Sequence, residues 1–263
     1  MLQTLNLQVV SAGQFEEVSL TASIPELTRV GKEFNWKIAI APVNEIHEVN
    51  FEVYDPCIFA AKPLDSDKQS WDVIRGNRSV QHTMTYMVGE TNFERTCDVK
   101  FKMDYKSNAT ASQTIIVLTT DEYGQREVAG TLGQIPTPSS SSTSPFQVAI
   151  STNPKQPFLD DTDVQVYFDY ATSGVGFISS LKQGDVVARM PSNLINPRCD
   201  DFSLQDGKLV LSREIPFSGG KGLKRSTCTF TTKASAPVDS EPIILTATYG
   251  YEIDESVPIK VRP

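Results

Sequence analysis

Val99-Lys100-Phe101-Lys102-Met103-Asp104-Tyr105 sets an apolar side chain at every second position. That is the period of a β-strand with one face in a core and the other in water. Polar Ser107-Asn108-Ala109-Thr110 follows, and then the aliphatic run Thr114-Ile115-Ile116-Val117-Leu118. Turn-forming residues between two strand patterns predict a hairpin, its second strand buried on both faces. The C-terminal region repeats the pattern. Ile243-Ile244-Leu245-Thr246-Ala247-Thr248-Tyr249 leads to a polar turn at Asp254-Glu255-Ser256 and a returning strand, Ile259-Lys260-Val261. Each is a Tyr-ended strand paired with an aliphatic one about ten residues later, which predicts a divergent internal repeat.

Strand patterns extend outward from both hairpins. In the first half they are Leu5, Leu7 and Val9 at the start, residues 33–40 with Phe34, Trp36 and Ile38 on one face, and Val49-Asn50-Phe51-Glu52-Val53-Tyr54. In the second half they are residues 146–150, 163–170 and 207–212. No stretch carries a sustained 3.6-residue period, and residues 65–71 offer only a short helical turn. Many short strands between Pro, Gly, Asn and Asp clusters predict an all-β chain of sandwiches or barrels, and two antiparallel β-sandwiches in tandem are the expected form. Ile135-Pro136-Thr137-Pro138 runs into four serines at 139–142 and then Thr143-Ser144-Pro145, a composition that packs no core. The expected organisation is therefore a domain at 1–134, a Ser/Pro linker at 135–145 and a domain at 146–263.

The chain has 263 residues, with 39% hydrophobic and 21% charged side chains, enough for real cores. Lys and Arg number 24 against 32 for Asp and Glu, a net charge of −8. That balance argues against nucleic acid as a partner, since such binding needs a cationic surface. No apolar run is long enough to span a membrane. Residues 1–10 read as a strand rather than a signal peptide, so any anchor is expected outside this chain.

Four cysteines fall two to each half: Cys57 and Cys97, then Cys199 and Cys228. Three connectivities exist, and the linker position favours 57–97 with 199–228 over cross-domain pairs or buried free thiols. Disulfides place the chain outside the cell or at its surface. Asn77-Arg78-Ser79 and Asn108-Ala109-Thr110 fit the N-glycosylation pattern, each in a segment read as a turn. Trp36 is expected in the core, a candidate to pack on a disulfide. Trp71, in a polar segment, is the candidate recognition aromatic, set against a loop-pinning role.

The sequence offers little for catalysis. His47 and His82 are the only histidines. No CxxC occurs for zinc, and no G-x-S-x-G or H-E-x-x-H motif occurs. Asp160, Asp161 and Asp163 form an acidic cluster, and Asp200-Asp201 another, without the EF-hand spacing. Ser218-Gly219-Gly220-Lys221-Gly222 lacks the phosphate-loop signature, and Lys221, Lys224 and Arg225 make a local basic patch. No catalytic residue, cofactor or metal is expected. A carboxylate pair for glycoside hydrolysis is not local in sequence and stays open as the alternative.

Phe51-Glu-Val-Tyr-Asp-Pro-Cys57, Cys97-Asp-Val-Lys-Phe101, Gly176-Phe177-Ile178, Cys228-Thr-Phe230 and Tyr249-Gly-Tyr251 together carry a resemblance. The chain resembles tandem Ig-like β-sandwich modules of secreted or membrane-anchored surface proteins, archaeal ones in particular. The resemblance covers most of the chain and implies a structural, adhesive or assembly role, with a protein or a glycan as partner. It transfers no functional residue. The alternative reading is a secreted carbohydrate-active hydrolase or a carbohydrate-binding module on a β-sandwich.

Overall fold

A computed structural model describes residues 18–23, 27–61, 67–173, 176–217 and 222–263. The strand expected at residues 5–9, Asp65, and residues 218–221 lie outside them. The chain divides into two compact units. Unit 1 takes the described residues of Met1–Ser107, Gly174–Phe177 and Gly250–Pro263; unit 2 takes those of Asn108–Ser173 and Ile178–Tyr249.

The first half supplies β1 (Val18–Ser23), β2 (Leu27–Arg29), β3 (Glu33–Pro42), β4 (Ile46–Asp55), β5 (Phe59–Ala61), β6 (Lys68–Ile74), β7 (Val80–Val88) and β8 (Arg95–Leu118). Helix α1 (Thr120–Ala129) and β9 (Ser139–Ser141) come next. The second half supplies β10 (Phe146–Asn153), β11 (Phe158–Leu159), β12 (Asp163–Thr172), β13 (Ser180–Leu181), β14 (Val186–Arg189), β15 (Leu194–Cys199) and β16 (Phe202–Gln205). It continues with β17 (Lys208–Leu211), β18 (Ile215–Pro216), β19 (Leu223–Thr232) and β20 (Val238–Arg262).

In unit 1 one sheet has the order β1-β3-β7-β5. The other has the order β20-β8-β4-β6, and β2 lies parallel to β20, Leu27 opposite Lys260. The alternation of β3 buries Phe34, Trp36, Ile38 and Ile40. Their partners come from the second sheet: the Trp36 and Phe101 rings are 5.9 Å apart, and Phe101 meets Phe51 at 5.5 Å. Two sheets with their apolar faces together form a sandwich.

Unit 2 repeats the scheme. One sheet has the order β10-β12-β19-β15, and the other β16-β17-β14-β20-β8. Here β11 lies parallel to β8, Phe158 opposite Val117. Phe146 on β10 meets Tyr249 on β20 at 5.0 Å, and Phe168 on β12 meets Phe202 on β16 at 5.2 Å. Pairing for pairing, β1, β3, β7 and β5 correspond to β10, β12, β19 and β15. Likewise β4 with its neighbours β6 and β8 corresponds to β14 with β17 and β20.

The structure is all-β in its core and corrects the sequence reading in four places. Neither hairpin forms. Ser107, Ala109 and Ala111 are buried while Asn108 and Thr110 are exposed, so the alternation of β8 runs through the expected turn. Small inward side chains let the strand continue where turn propensity alone would stop it. The segment Asp254-Glu255-Ser256 likewise lies inside β20. Second, the expected linker is not a boundary. Residues 139–141 form β9 against Ala111–Gln113, with Ser112 Oγ and Ser140 Oγ 2.9 Å apart, and the units part at Ser107 and at Gly250 instead. Backbone pairing needs no apolar side chain, so serine-rich composition did not prevent a strand. Third, Lys68–Ile74, overlapping the expected helical turn, is the strand β6. Fourth, a helix exists. α1 buries no residue, so it shows no 3.6-residue period. Local signals hold it: Asp121 and Glu122 in the first turn, a Glu122–Arg126 ion pair, and Gly130 in the left-handed region at φ 68° as its cap.

Candidate functional site

Each unit holds one disulfide, Cys57–Cys97 in unit 1 and Cys199–Cys228 in unit 2. Cys57 follows β4 in a turn, at φ 58°, and Cys97 is buried on β8. Cys199 and Cys228 face each other across the antiparallel pair β15 and β19. This second bridge joins neighbours within one sheet, unlike the inter-sheet staple of antibody domains. Loops of 40 and 29 residues are closed. In a Cys199→Ser/Cys228→Ser variant, unit 2 should lose about 2–4 kcal/mol, read as a lower urea midpoint for peptides of β12 and β19.

Trp36 is in the core, 6.2 Å from the Tyr86 ring as well as against Phe101. Trp71 is half-buried on β6, at the border of its sheet, with its ring edge-on to His82 at 6.4 Å. His47 lies 3.4 Å from Glu45.

The two sequons differ in setting. Asn77 is exposed at φ 59° in the turn between β6 and β7. Asn108 is not in a turn: it sits within β8, where its Oδ1 accepts a 2.8 Å hydrogen bond from Thr248 Oγ1. In a glycosylating secretory host, the added glycan mass should vanish in Asn77→Gln and persist in Asn108→Gln. Glycopeptide mass spectrometry checks this.

The acidic clusters are engaged locally. Asp160 Oδ1 accepts from the Ala234 backbone N–H at 2.8 Å. Asp163 accepts from Arg198 at 2.7 Å and from Thr231 Oγ1 at 3.0 Å. The Arg198 guanidinium and then the Thr231 hydroxyl hold the Asp163 carboxyl below the usual carboxylate range. Asp201 is buried and ion-paired with Arg213. Among the described residues, no group of three or more His, Cys, Asp or Glu is placed to hold a metal. Of the basic patch, Lys221 lies outside the described residues and Arg225 is tied down. Arg225 grips Asp169 with two bonds, at 2.6 and 3.0 Å, and lies 4.6 Å from the centre of the Tyr167 ring.

Sequence reasoning missed a shallow depression of about 160 Å³ on unit 2, lined by Val187, Arg189, Lys208, Ile244 and Thr246. These residues come from β14, β17 and β20. Arg189 stands directly opposite both Lys208 and Ile244, and Val187 opposite Thr246. Asp206 and Gly207, both at positive φ, make the two-residue turn that fixes Lys208 in register. Like charges opposed across a strand pair repel, which suits an anion between them.

No protein-family model and no curated protein matches the chain. Among solved structures, it is similar at 9% identity and a TM-score of 0.26 to a protein of unknown function from Porphyromonas gingivalis, covering 94% of this chain and 100% of that one. It is similar at 9% identity and 0.22 to the C-terminal globular domain of an oligosaccharyltransferase from Pyrococcus abyssi, covering 89% of this chain and 45% of that one. A secreted serine protease of Vibrio cholerae matches at 10% identity and 0.20, with 93% and 52% covered. At these scores the likeness bears on neither fold family nor activity.

Proposed function

We propose that the chain is a non-catalytic extracellular or cell-surface module for interaction, adhesion or envelope assembly, with a protein or a glycan as partner. The observation that carries this is the pair of disulfides, one in each unit. Such bonds persist in oxidising compartments and are rare in the cytosol. The strand orders support an Ig-like reading of both units. In unit 1, β1-β3-β7-β5 follows the A-B-E-D order, β4, β8 and β20 follow C-F-G, and β2 runs parallel to the last strand.

The test is thiol accounting on protein isolated from its own host without reductant. Alkylation should add no mass before reduction and four labels after it. Four labels before reduction would remove the extracellular reading.

A second reading, glycan binding, draws on the Arg189 and Lys208 depression. Its volume is below the usual 300–1,000 Å³ of small-molecule sites and suits one sugar ring. An acidic monosaccharide should bind where its neutral counterpart does not, and Arg189→Gln should weaken it about tenfold by calorimetry, in line with one lost charge-assisted contact. Equal binding of the acidic and neutral sugars would count against this reading.

A further inference from the structure

Both units are closed by a strand from the other half of the sequence. Unit 1 is built from β1 to the first part of β8, yet its final strand is the Gly250–Pro263 part of β20. Unit 2 is built from β10 to the first part of β20, yet the corresponding strand in it is the part of β8 after Ser107. The parallel partners confirm the correspondence, since β2 pairs with β20 in one unit and β11 with β8 in the other. Each half of the chain therefore gives away the strand that a hairpin would have folded back onto itself.

We propose that this chain assembles with a second copy of itself by exchanging these closing strands. The inference names the partner in the assembly reading above and rests on it. Three observations carry it. The closing segments present specific apolar faces: Ala109, Ala111, Ile115, Ile116, Val117 and Leu118 are buried in one, and Tyr251, Ile253, Val257, Ile259 and Val261 in the other. A second copy offers the same side chains to the same groove, so the contacts made are identical within or between molecules. Only the effective concentration of the donor strand then decides between them. Next, the disulfides do not trap either segment. Residues 108–118 and 250–263 lie outside the loops closed by Cys57–Cys97 and Cys199–Cys228, so exchange needs no reduction. Finally, the connecting residues keep turn chemistry. Ser107-Asn108-Ala109-Thr110 can reverse direction at Asn108-Ala109, which would set Ile116 opposite Phe101 and Leu118 opposite Val99 on one buried face. In the structure the strand runs open here, and a closed hairpin would withdraw the donor strand from either copy.

The experiment uses the full chain carrying one of two affinity tags. Equal amounts are unfolded together in urea without reductant and refolded at about 1 mM or about 10 µM, the higher value reaching the millimolar effective concentration of a short tether. The expected result is a mixed-tag dimer, discrete by light scattering, at least tenfold more abundant at the higher concentration. It should be absent when the two folded proteins are simply mixed. Ala109→Gly creates Asn-Gly, the preferred two-residue hairpin turn, and should lower the mixed-tag yield severalfold. No mixed-tag dimer at either concentration would overturn the proposal. Equal yield from mixing folded proteins would overturn it too, by showing ordinary surface association. Neither result touches thiol accounting, so the compartment reading and the exchange fail separately.

Discussion

A chain ended at Tyr249 is expected to lose the folded state of unit 1, although the described part of that unit begins at Val18. The segment removed, Gly250–Pro263, buries Tyr251, Ile253, Val257, Ile259 and Val261 in unit 1. Burying one such side chain is worth about 1.5–3 kcal/mol, so five of them amount to roughly 10 kcal/mol. That equals the whole stability of an ordinary domain, about 5–15 kcal/mol. Truncation also leaves β2 without its parallel partner at Lys260–Arg262 and removes Asp254, the acceptor of the 2.7 Å bond from the Tyr54 hydroxyl. Hydrogen exchange should show peptides of β3, β7 and the start of β8 exchanging at unfolded rates. A milder variant keeps the test interpretable. Ile259→Ala should cost about 2–5 kcal/mol with the backbone pairing intact. Native protection of β3 and β7 in the truncated chain would show that the unit closes without its C-terminal strand.

Trp36→Ala is expected to cost unit 1 about 3–5 kcal/mol, the range for deleting a large aromatic side chain from a core. Trp36 is 1% exposed and is wedged between Tyr86 on β7 and Phe101 on β8, so its loss opens the space between the two sheets. The neighbours are held by their own strands and cannot collapse far into that space, which puts the cost at the upper end. Urea unfolding followed by hydrogen exchange at β3 and β7 should show the loss. Trp36→Phe retains a ring between Tyr86 and Phe101 and should recover most of it. A Trp36→Ala midpoint within about 0.5 kcal/mol of the parent, the scale of surface substitutions, would remove Trp36 from the core account.

Strand identity was legible because it is written locally. The alternation through Phe34, Trp36 and Ile38 and through Val99, Phe101 and Met103 marks buried faces without knowledge of any partner. Disulfide pairing was legible because two cysteines fell in each half, and both bridges formed within a unit. The exchanged strands were not. Local propensity at Ser107-Asn108 favours a turn, and only pairing with residues far along the chain keeps that backbone extended. Helix α1 was hidden for the opposite reason: it buries no residue, so its signals were Asp121, Glu122, the Glu122–Arg126 pair and the Gly130 cap. The Arg189 and Lys208 depression was out of reach because β14, β17 and β20 meet only through sheet register.

The closing-strand arrangement also sets an order of events during synthesis. A ribosome releases the N-terminal end of the chain first, yet Gly250–Pro263 belongs to the unit that begins there. Unit 2 has its described strands in hand once Tyr249 has emerged, while unit 1 waits for Gly250–Pro263. Until then the groove between β8 and β2 is an unfinished, apolar binding site on a nascent chain. Chaperones that hold extended segments, or a neighbouring nascent chain of the same kind, meet it in that interval. The first unit to be started is the last to be finished, and translation speed becomes one of the determinants of which strand finally fills it.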